Sequence, residues 1–154
     1  MRRIIQLISI LFVTFGVVFA GNPLAIAATV NTTSVNLVNQ PAIEVKVSLS
    51  NTTNELKFEP DRFTFEAGKR YKFVLSNPSA MKHYFTSKDF ADAIWTQKVE
   101  AGQVEIKGNI RELELRPQAN AEWFFVPMKQ GSYTFRCTIA GHTEAGMKGT
   151  ILVQ

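Results

Sequence analysis

The residues with the most distinctive chemistry lie close together near the C-terminus. Cys137, His142 and Met147 follow one another with four residues between each pair, and His83 is the only other histidine of a chain that has a single cysteine. A thiolate, two imidazoles and a thioether form a soft donor set, and a trigonal His₂Cys arrangement with a distant Met is typical of blue-copper electron-transfer sites. Zinc has little use for Met, and iron–sulfur clusters need several cysteines. The donor types therefore predict one copper ion held by His83, Cys137, His142 and Met147.

Each of these residues also has an ordinary structural interpretation. A lone inward-facing Cys is often a small core residue, a single His is usually hydrogen-bonded within the fold, and a Met commonly fills a core. A Cys–His nucleophilic pair is a further alternative, which the Met and the lack of a third His in the sequence disfavour. The occurrence of all these residue types together favours the copper interpretation.

The segments around the candidate ligands alternate apolar and polar side chains, a pattern typical of β-strands. Tyr133, Phe135 and Cys137 share one face of such a segment, and the loop after Cys137 returns to another strand at Met147. The thiolate is therefore expected at the inward-facing end of a strand, with His142 in the loop. The strand candidates are residues 43–49, 63–65, 71–75, 104–107, 111–115, 121–126, 133–137 and 148–153.

Turn residues such as Asn77-Pro78, Gly108-Asn109 and Gln130-Gly131 separate these candidates. About eight short strands with turns between them predict an all-β fold, a sandwich of two sheets.

One segment departs from the period of two. Ser87 is a candidate N-cap for a short helix in which Phe90 and Ile94 form one stripe, with Ala91 and Trp95 beside it. We expect this stripe to pack into the core.

The N-terminus has the layout of a secretory signal peptide. Arg2 and Arg3 precede an apolar run over residues 4–20, and a turn then leads to the small residues Ala-Ile-Ala at 25–27. A retained membrane anchor is the alternative, because the run lies at the short end of what spans a bilayer. We expect a signal peptide over 1–27, an N-terminal arm over 28–41 and one domain over 42–154. The domain is then exported to the periplasm or to another extracytoplasmic compartment, such as a thylakoid lumen.

The cysteine count and the charge of the chain exclude further functional classes. A single Cys excludes an internal disulfide, so an exported chain must bury this thiol, bind it to a metal or use its reactivity. The formal net charge is +4, of which Arg2 and Arg3 in the predicted signal peptide supply two, and basic residues are scattered among acidic ones. This balance implies neither nucleic acid nor an anionic membrane surface as a partner. We also expect no stable membrane insertion once the signal peptide is removed.

The C-terminal loop resembles the copper loop of the plastocyanin, azurin and auracyanin families, in which Cys, His and Met occur in that order between the last two strands. The block from Phe58 to Pro78, followed by His83, is similar to the strands that carry the first His ligand in those families; together the two segments cover residues 55–153. The resemblance implies a Greek-key cupredoxin sandwich with copper near one end. It also implies that His83 and His142 supply imidazoles, Cys137 the thiolate and Met147 a long axial ligand.

Two positions depart from the family pattern. Tyr84 follows His83 where plastocyanin-like chains often have an Asn, and Ala140 precedes Gly141 where many relatives have Pro. Hydrogen bonds around a metal site tune its electronics, so these changes bear on the reduction potential more than on the choice of metal.

The expected function is one-electron transfer between transient protein redox partners, performed by a monomer. Four protein ligands leave no open coordination position for a substrate, and an oxidase with further copper centres needs histidines beyond His83 and His142. We therefore expect no enzymatic activity. A periplasmic copper chaperone or storage protein is the alternative. Such proteins usually expose clusters of Met and His, whereas only Met81 and Met128 of the predicted domain lie outside the site.

Overall fold

The computed structural model describes residues 36–154. The predicted signal peptide and most of the predicted arm lie outside the described residues. The described part begins with a short 3-10 turn at Leu37–Asn39. Within residues 36–154, no helix is both long enough and apolar enough to cross a membrane.

Residues 36–154 form eleven β-strands and one four-residue α-helix. In chain order these elements are β1 (Ile43–Leu49), β2 (Phe58–Glu59), β3 (Arg62–Phe65), β4 (Tyr71–Ser76), β5 (His83–Thr86), α1 (Lys88–Ala91), β6 (Ile94–Ala101), β7 (Val104–Ile106), β8 (Glu112–Leu115), β9 (Asn120–Pro127), β10 (Gly131–Arg136) and β11 (Lys148–Val153).

The strands belong to two mixed sheets that enclose one core. The first sheet has the order β2-β1-β4-β9-β6-β7 and the second has the order β3-β11-β10-β5-β8. Most neighbouring strands are antiparallel, whereas β1 pairs with β4 and β3 pairs with β11 in parallel. The predicted all-β, two-sheet sandwich with one short helix is confirmed.

Alternating apolar residues build an aromatic core between the sheets. Along β4, Tyr71, Phe73 and Leu75 are buried while the residues between them are only half-buried. The ring of Phe73 lies 5.5 Å from that of Phe85 in the opposite sheet and 4.9 Å from that of Phe125. Complete burial of one such side chain contributes about 1.5–3 kcal/mol. The core therefore fixes the separation of the sheets and, with it, the position of β5 and β10.

The helix is shorter than the sequence predicts. Phe90 and Ala91 are buried as expected, but α1 ends at Ala91, and Ile94 begins β6, where it pairs with Pro127 of β9. The predicted continuation of the helix through Ile94 and Trp95 is therefore wrong. Ile94 still packs against the core, as expected, whereas Trp95 is 38% exposed. Pairing with a neighbouring strand, which local sequence spacing does not reveal, decides the conformation here.

The predicted number of strands, about eight, is too low for residues 36–154. Three strands have no counterpart among the sequence candidates: β2, β5 and β6. β2 has only two residues, and β5 lacks a clear alternation because Phe85 and Thr86 are both buried. Of these three strands, β5 bears directly on the candidate site because it begins with His83.

Candidate metal centre

His83 is the first residue of β5, in the second sheet. It lies opposite Leu115 of β8, and its side chain is completely buried. The turn before β5 is held by two buried polar side chains: the Asn77 amide donates to the carbonyls of Met81 (2.7 Å) and Leu115 (2.9 Å), and the Ser79 hydroxyl donates to the Asn77 side-chain oxygen (2.8 Å). This network fixes the point at which His83 enters the sheet.

Asn77 and Ser79 have a structural role that was not predicted from the sequence, in which Asn77-Pro78 indicated only a turn. The Asn77 side-chain oxygen accepts the Ser79 backbone N–H at 3.1 Å, and Asn commonly makes this bond to the residue two positions on. The Asn-Pro-Ser sequence was the available signal for it.

Cys137 follows the last residue of β10 and is completely buried. Its backbone N–H donates to the Met147 carbonyl at 3.0 Å, which continues the pairing of β10 with β11 by one residue. Phe135, two residues earlier, stacks on Phe85 of β5 with ring centroids 4.9 Å apart. The two strands that bear Cys137 and His83 are thus packed together by aromatic residues two positions from each candidate ligand.

The loop between Cys137 and Met147 folds back on itself through short hydrogen bonds. The Thr143 hydroxyl donates to the Cys137 carbonyl (2.7 Å), and the Met147 N–H donates to the His142 carbonyl (2.9 Å). Gly141 has φ of +81°, a conformation in which a side chain is strained. These contacts place the half-buried His142 beside Cys137. Met147, directly before β11, is completely buried.

Three donor atoms converge between these elements. The Cys137 Sγ lies 3.5 Å from Nδ1 of His142 and 4.0 Å from Nδ1 of His83, and the three candidate ligand atoms lie within 4.8 Å of one another. Metal–nitrogen and metal–sulfur bonds of roughly 2.0–2.3 Å fit donors separated in this way. Met147 adjoins the cluster through its backbone contacts with Cys137 and His142. The donor set therefore fits a single soft metal ion.

The surroundings of the donor atoms favour a neutral imidazole at His83. Burial, and then the charge of nearby His142, lowers the pKa of His83 below its ordinary value. Its Nε2 is buried and has no hydrogen-bond partner among residues 36–154. A neutral imidazole that carries its proton on Nε2 presents the Nδ1 lone pair toward Cys137, which is the form that binds a metal.

The Cys137 sulfur also accepts a hydrogen bond from the backbone. The Tyr84 N–H lies 3.4 Å from Sγ, and such a donor stabilises negative charge on the sulfur. Tyr84 was identified from the sequence only as a departure from the family pattern. Its backbone contact could not be predicted, because every residue except Pro carries an N–H.

Several known proteins are similar to this chain in sequence. Copper-resistant cuproprotein CopI from Rubrivivax gelatinosus is 30% identical over 117 residues, which cover 71% of this chain and 66% of CopI. Plastocyanin from Dryopteris crassirhizoma is 28% identical over 109 residues, which cover 71% of this chain and 99% of that protein. Multicopper oxidase mco from Staphylococcus aureus is 27% identical over 78% of this chain but only 29% of the oxidase. The chain thus spans slightly less than two thirds of CopI and less than a third of the oxidase.

The fold is shared with solved structures. The crystal structure of dithionite-reduced auracyanin from the photosynthetic bacterium Roseiflexus castenholzii aligns with a TM-score of 0.53 at 20% identity, covering 73% of this chain and 98% of auracyanin. This likeness shows the cupredoxin fold. A family model described as copper binding proteins, plastocyanin/azurin family, matches residues 45–154. The family model covers most of the chain, the fold is that of the cupredoxins, and the soft donor atoms converge on one point. The chain therefore belongs to the plastocyanin/azurin family of copper-binding proteins.

Proposed function

We propose that the protein is an exported one-electron carrier whose single type 1 copper ion is bound by His83, Cys137, His142 and Met147. The observation that carries this proposal is the convergence of the Cys137 Sγ with the Nδ1 atoms of both histidines. A His₂Cys set with a weak axial Met is the arrangement used for copper electron transfer. The bound ion supplies the one-electron couple, and the chain holds the donors in place and excludes water.

Burial supports transfer of electrons over catalysis on a bound substrate. His83, Cys137 and Met147 are completely buried, and only His142 is partly exposed. Both histidines of the chain are used by one site, so no imidazole is left for a second copper centre of the kind an oxidase needs. The alignment with plastocyanin covers 99% of that protein, whereas the alignment with the multicopper oxidase covers only 29% of the oxidase. We infer that the protein is not an enzyme.

The partner is proposed to be another redox protein that docks where His142 reaches the surface. The loop before His83 and the loop that contains His142 both expose small or apolar residues: Ala80, Ala140 and Ala145 are exposed, and Met81 is 42% exposed. A small apolar surface suits a transient encounter, for which interfaces of less than about 1,200 Å² are usual. We infer that the encounter takes place in the periplasm or a comparable extracytoplasmic compartment, because the sequence predicts a signal peptide over residues 1–27.

Reductive titration of the copper-loaded protein tests this function. We expect one electron equivalent per chain to reduce the protein fully, reoxidation to restore the starting state, and copper to stay bound through repeated cycles in the presence of a weak chelator. Copper lost to the chelator on reduction would contradict a role as a carrier.

The similarity to CopI favours one second candidate, a role in copper resistance. CopI is named a copper-resistant cuproprotein and is 30% identical to this chain. In that role the protein would pass copper on, which requires the metal to exchange. The same titration separates the two functions, because rapid transfer of copper to the chelator supports resistance and retention through redox cycles supports the carrier.

A further inference from the structure

The strands that lead to His83 and Cys137 are joined by little backbone pairing. β5 pairs with β10 at a single residue pair, Thr86 with Arg136, whereas β5 pairs with β8 at four positions and β10 pairs with β11 at six. Beyond that pair, the Tyr84 N–H reaches the Cys137 sulfur at 3.4 Å. Side-chain contacts must therefore hold this junction closed. The Phe85 ring stacks on Phe135, and the Ser87 hydroxyl donates to the Thr134 carbonyl at 2.7 Å, but neither contact reaches the residues beyond Cys137.

One carboxylate bridges the junction from the neighbouring edge strand. Oε2 of Glu112, on β8, accepts a hydrogen bond from the Thr86 hydroxyl on β5 at 2.7 Å and another from the Thr138 hydroxyl at 3.1 Å. Thr86 lies opposite Glu112 in the sheet register, and Thr138 directly follows Cys137. A single charged acceptor therefore ties the Cys137 end of β10 to the strand that begins with His83. Hydrogen bonds to a carboxylate are roughly twice as strong as those between neutral groups.

We propose that Glu112 is a positioning residue that holds Thr138 against β5 and so sets the contact between the Tyr84 N–H and the Cys137 sulfur. The hydrogen bonds of this bridge join only residues of the chain and do not involve a metal. Its consequence for copper rests on the proposed function, because the N–H contact acts on the metal through the thiolate. Hydrogen bonds to a ligand tune both the electronics of the metal and the orientation of the ligand.

Glu114 provides a matched control on the same strand. It lies two residues further along β8 and faces Tyr84 in the register. Its carboxylate accepts from the Tyr84 hydroxyl, lies 3.3 Å from Nζ of Lys82 and lies 3.9 Å from Nε of Arg116, so none of these contacts involves β10 or Thr138. Removing Glu114 deletes a similar charge from the same face of the sheet without touching the bridge to Thr138.

The test compares Glu112→Ala, Glu112→Gln and Glu114→Ala. In the metal-free protein, Glu112→Ala should speed hydrogen exchange of the Tyr84 amide by roughly threefold to tenfold, the factor expected when a hydrogen bond that closes the junction is lost. In the copper-loaded protein, the same variant should shift the thiolate-to-copper absorption band and the reduction potential. Glu112→Gln should behave like wild type in the exchange and absorption measurements, because its amide oxygen can accept hydrogen bonds from the hydroxyls of Thr86 and Thr138. Glu114→Ala should leave the Tyr84 exchange and the band position unchanged.

Three results would overturn the proposal. The first is wild-type exchange of the Tyr84 amide in Glu112→Ala, and the second is equally fast exchange in Glu112→Gln and Glu112→Ala. The third is an equal effect of Glu114→Ala, which would show that the effect does not depend on the bridge to Thr138. The exchange measurement needs no copper. If wild-type protein binds no copper in a coloured form, the proposed function fails, while hydrogen exchange still decides whether Glu112 positions the junction.

Discussion

Cys137 combines complete burial with an N–H donor directed at its sulfur. A buried thiolate is unfavourable without a positive partner, and a bound copper ion is the partner that this donor set suits. Cys137→Ser should therefore lower copper affinity sharply and remove any visible thiolate band.

The metal-free Cys137→Ser protein should still fold, because the Ser hydroxyl is smaller than the thiol and can accept the Tyr84 N–H. We expect a loss of stability of about 1–2 kcal/mol at most. Equilibrium dialysis measures the affinity, and urea unfolding of the metal-free protein checks the fold. Unchanged copper affinity in a folded variant would remove Cys137 from the site.

Met147 is proposed to be a weak axial ligand that tunes the copper potential more than it holds the metal. Met147→Gln should keep copper bound and lower the reduction potential, because an amide oxygen is a harder donor and favours Cu(II). Voltammetry gives the potential. Met128→Gln is the control, since Met128 is 53% exposed and lies outside the loop. Equal potentials in wild type and Met147→Gln would mean that Met147 is not axial.

At the scale of single residues, the sequence predicted the candidate ligands because their types are rare and their spacing is unusual. It could not predict Glu112, whose partners Thr86 and Thr138 come from two other segments. A Glu on an edge strand is also the common way to keep such a strand soluble, so its residue type carried no signal.

At the scale of elements, alternation identified strands with a buried and an exposed face. β1 and β11 have the predicted bounds, and β4 extends one residue beyond its predicted end. It missed β6, where the Ile94–Ala101 segment is half-buried on both faces and has a shift in register between Thr96 and Lys98. A strand without one clearly apolar face has no period to detect.

Close packing at Gly149 gives a prediction at this scale. A Cβ added there would lie 2.2 Å from the Asp61 carbonyl oxygen and 2.2 Å from a ring carbon of Phe135. Gly149→Ala must separate β11 from these neighbours, and we expect it to destabilise the metal-free protein by about 1–3 kcal/mol or more. Urea unfolding measures the change. Thr150→Ala, the next and exposed residue of β11, should cost less, and equal stability of Gly149→Ala and wild type would show that the strand can shift freely.

At the scale of the whole molecule, the sandwich brings two distant loops to one end, where partner docking is proposed. Ala140→Asp and Met81→Lys place a charge on exposed residues of the two ligand loops. We expect each to slow electron self-exchange between two copies by about tenfold or more, because like charges that face each other cost several kcal/mol. The visible spectrum should stay unchanged.

Nuclear magnetic resonance line broadening at several ionic strengths measures the self-exchange rate. Val104→Asp is the matched control, because Val104 is 58% exposed on β7, at the edge of the first sheet. Wild-type rates for both loop variants, or an equal loss in the control, would place the docking surface elsewhere.

The central claim is tested most directly by the absorption spectrum of the purified protein loaded with Cu(II). Coordination by the Cys137 thiolate together with the two imidazoles predicts an intense thiolate-to-copper band in the visible region, blue or green. The band should disappear when the protein is reduced by one electron and return on reoxidation. A protein that binds Cu(II) stoichiometrically but stays colourless would contradict the account, because copper would then be bound without its thiolate.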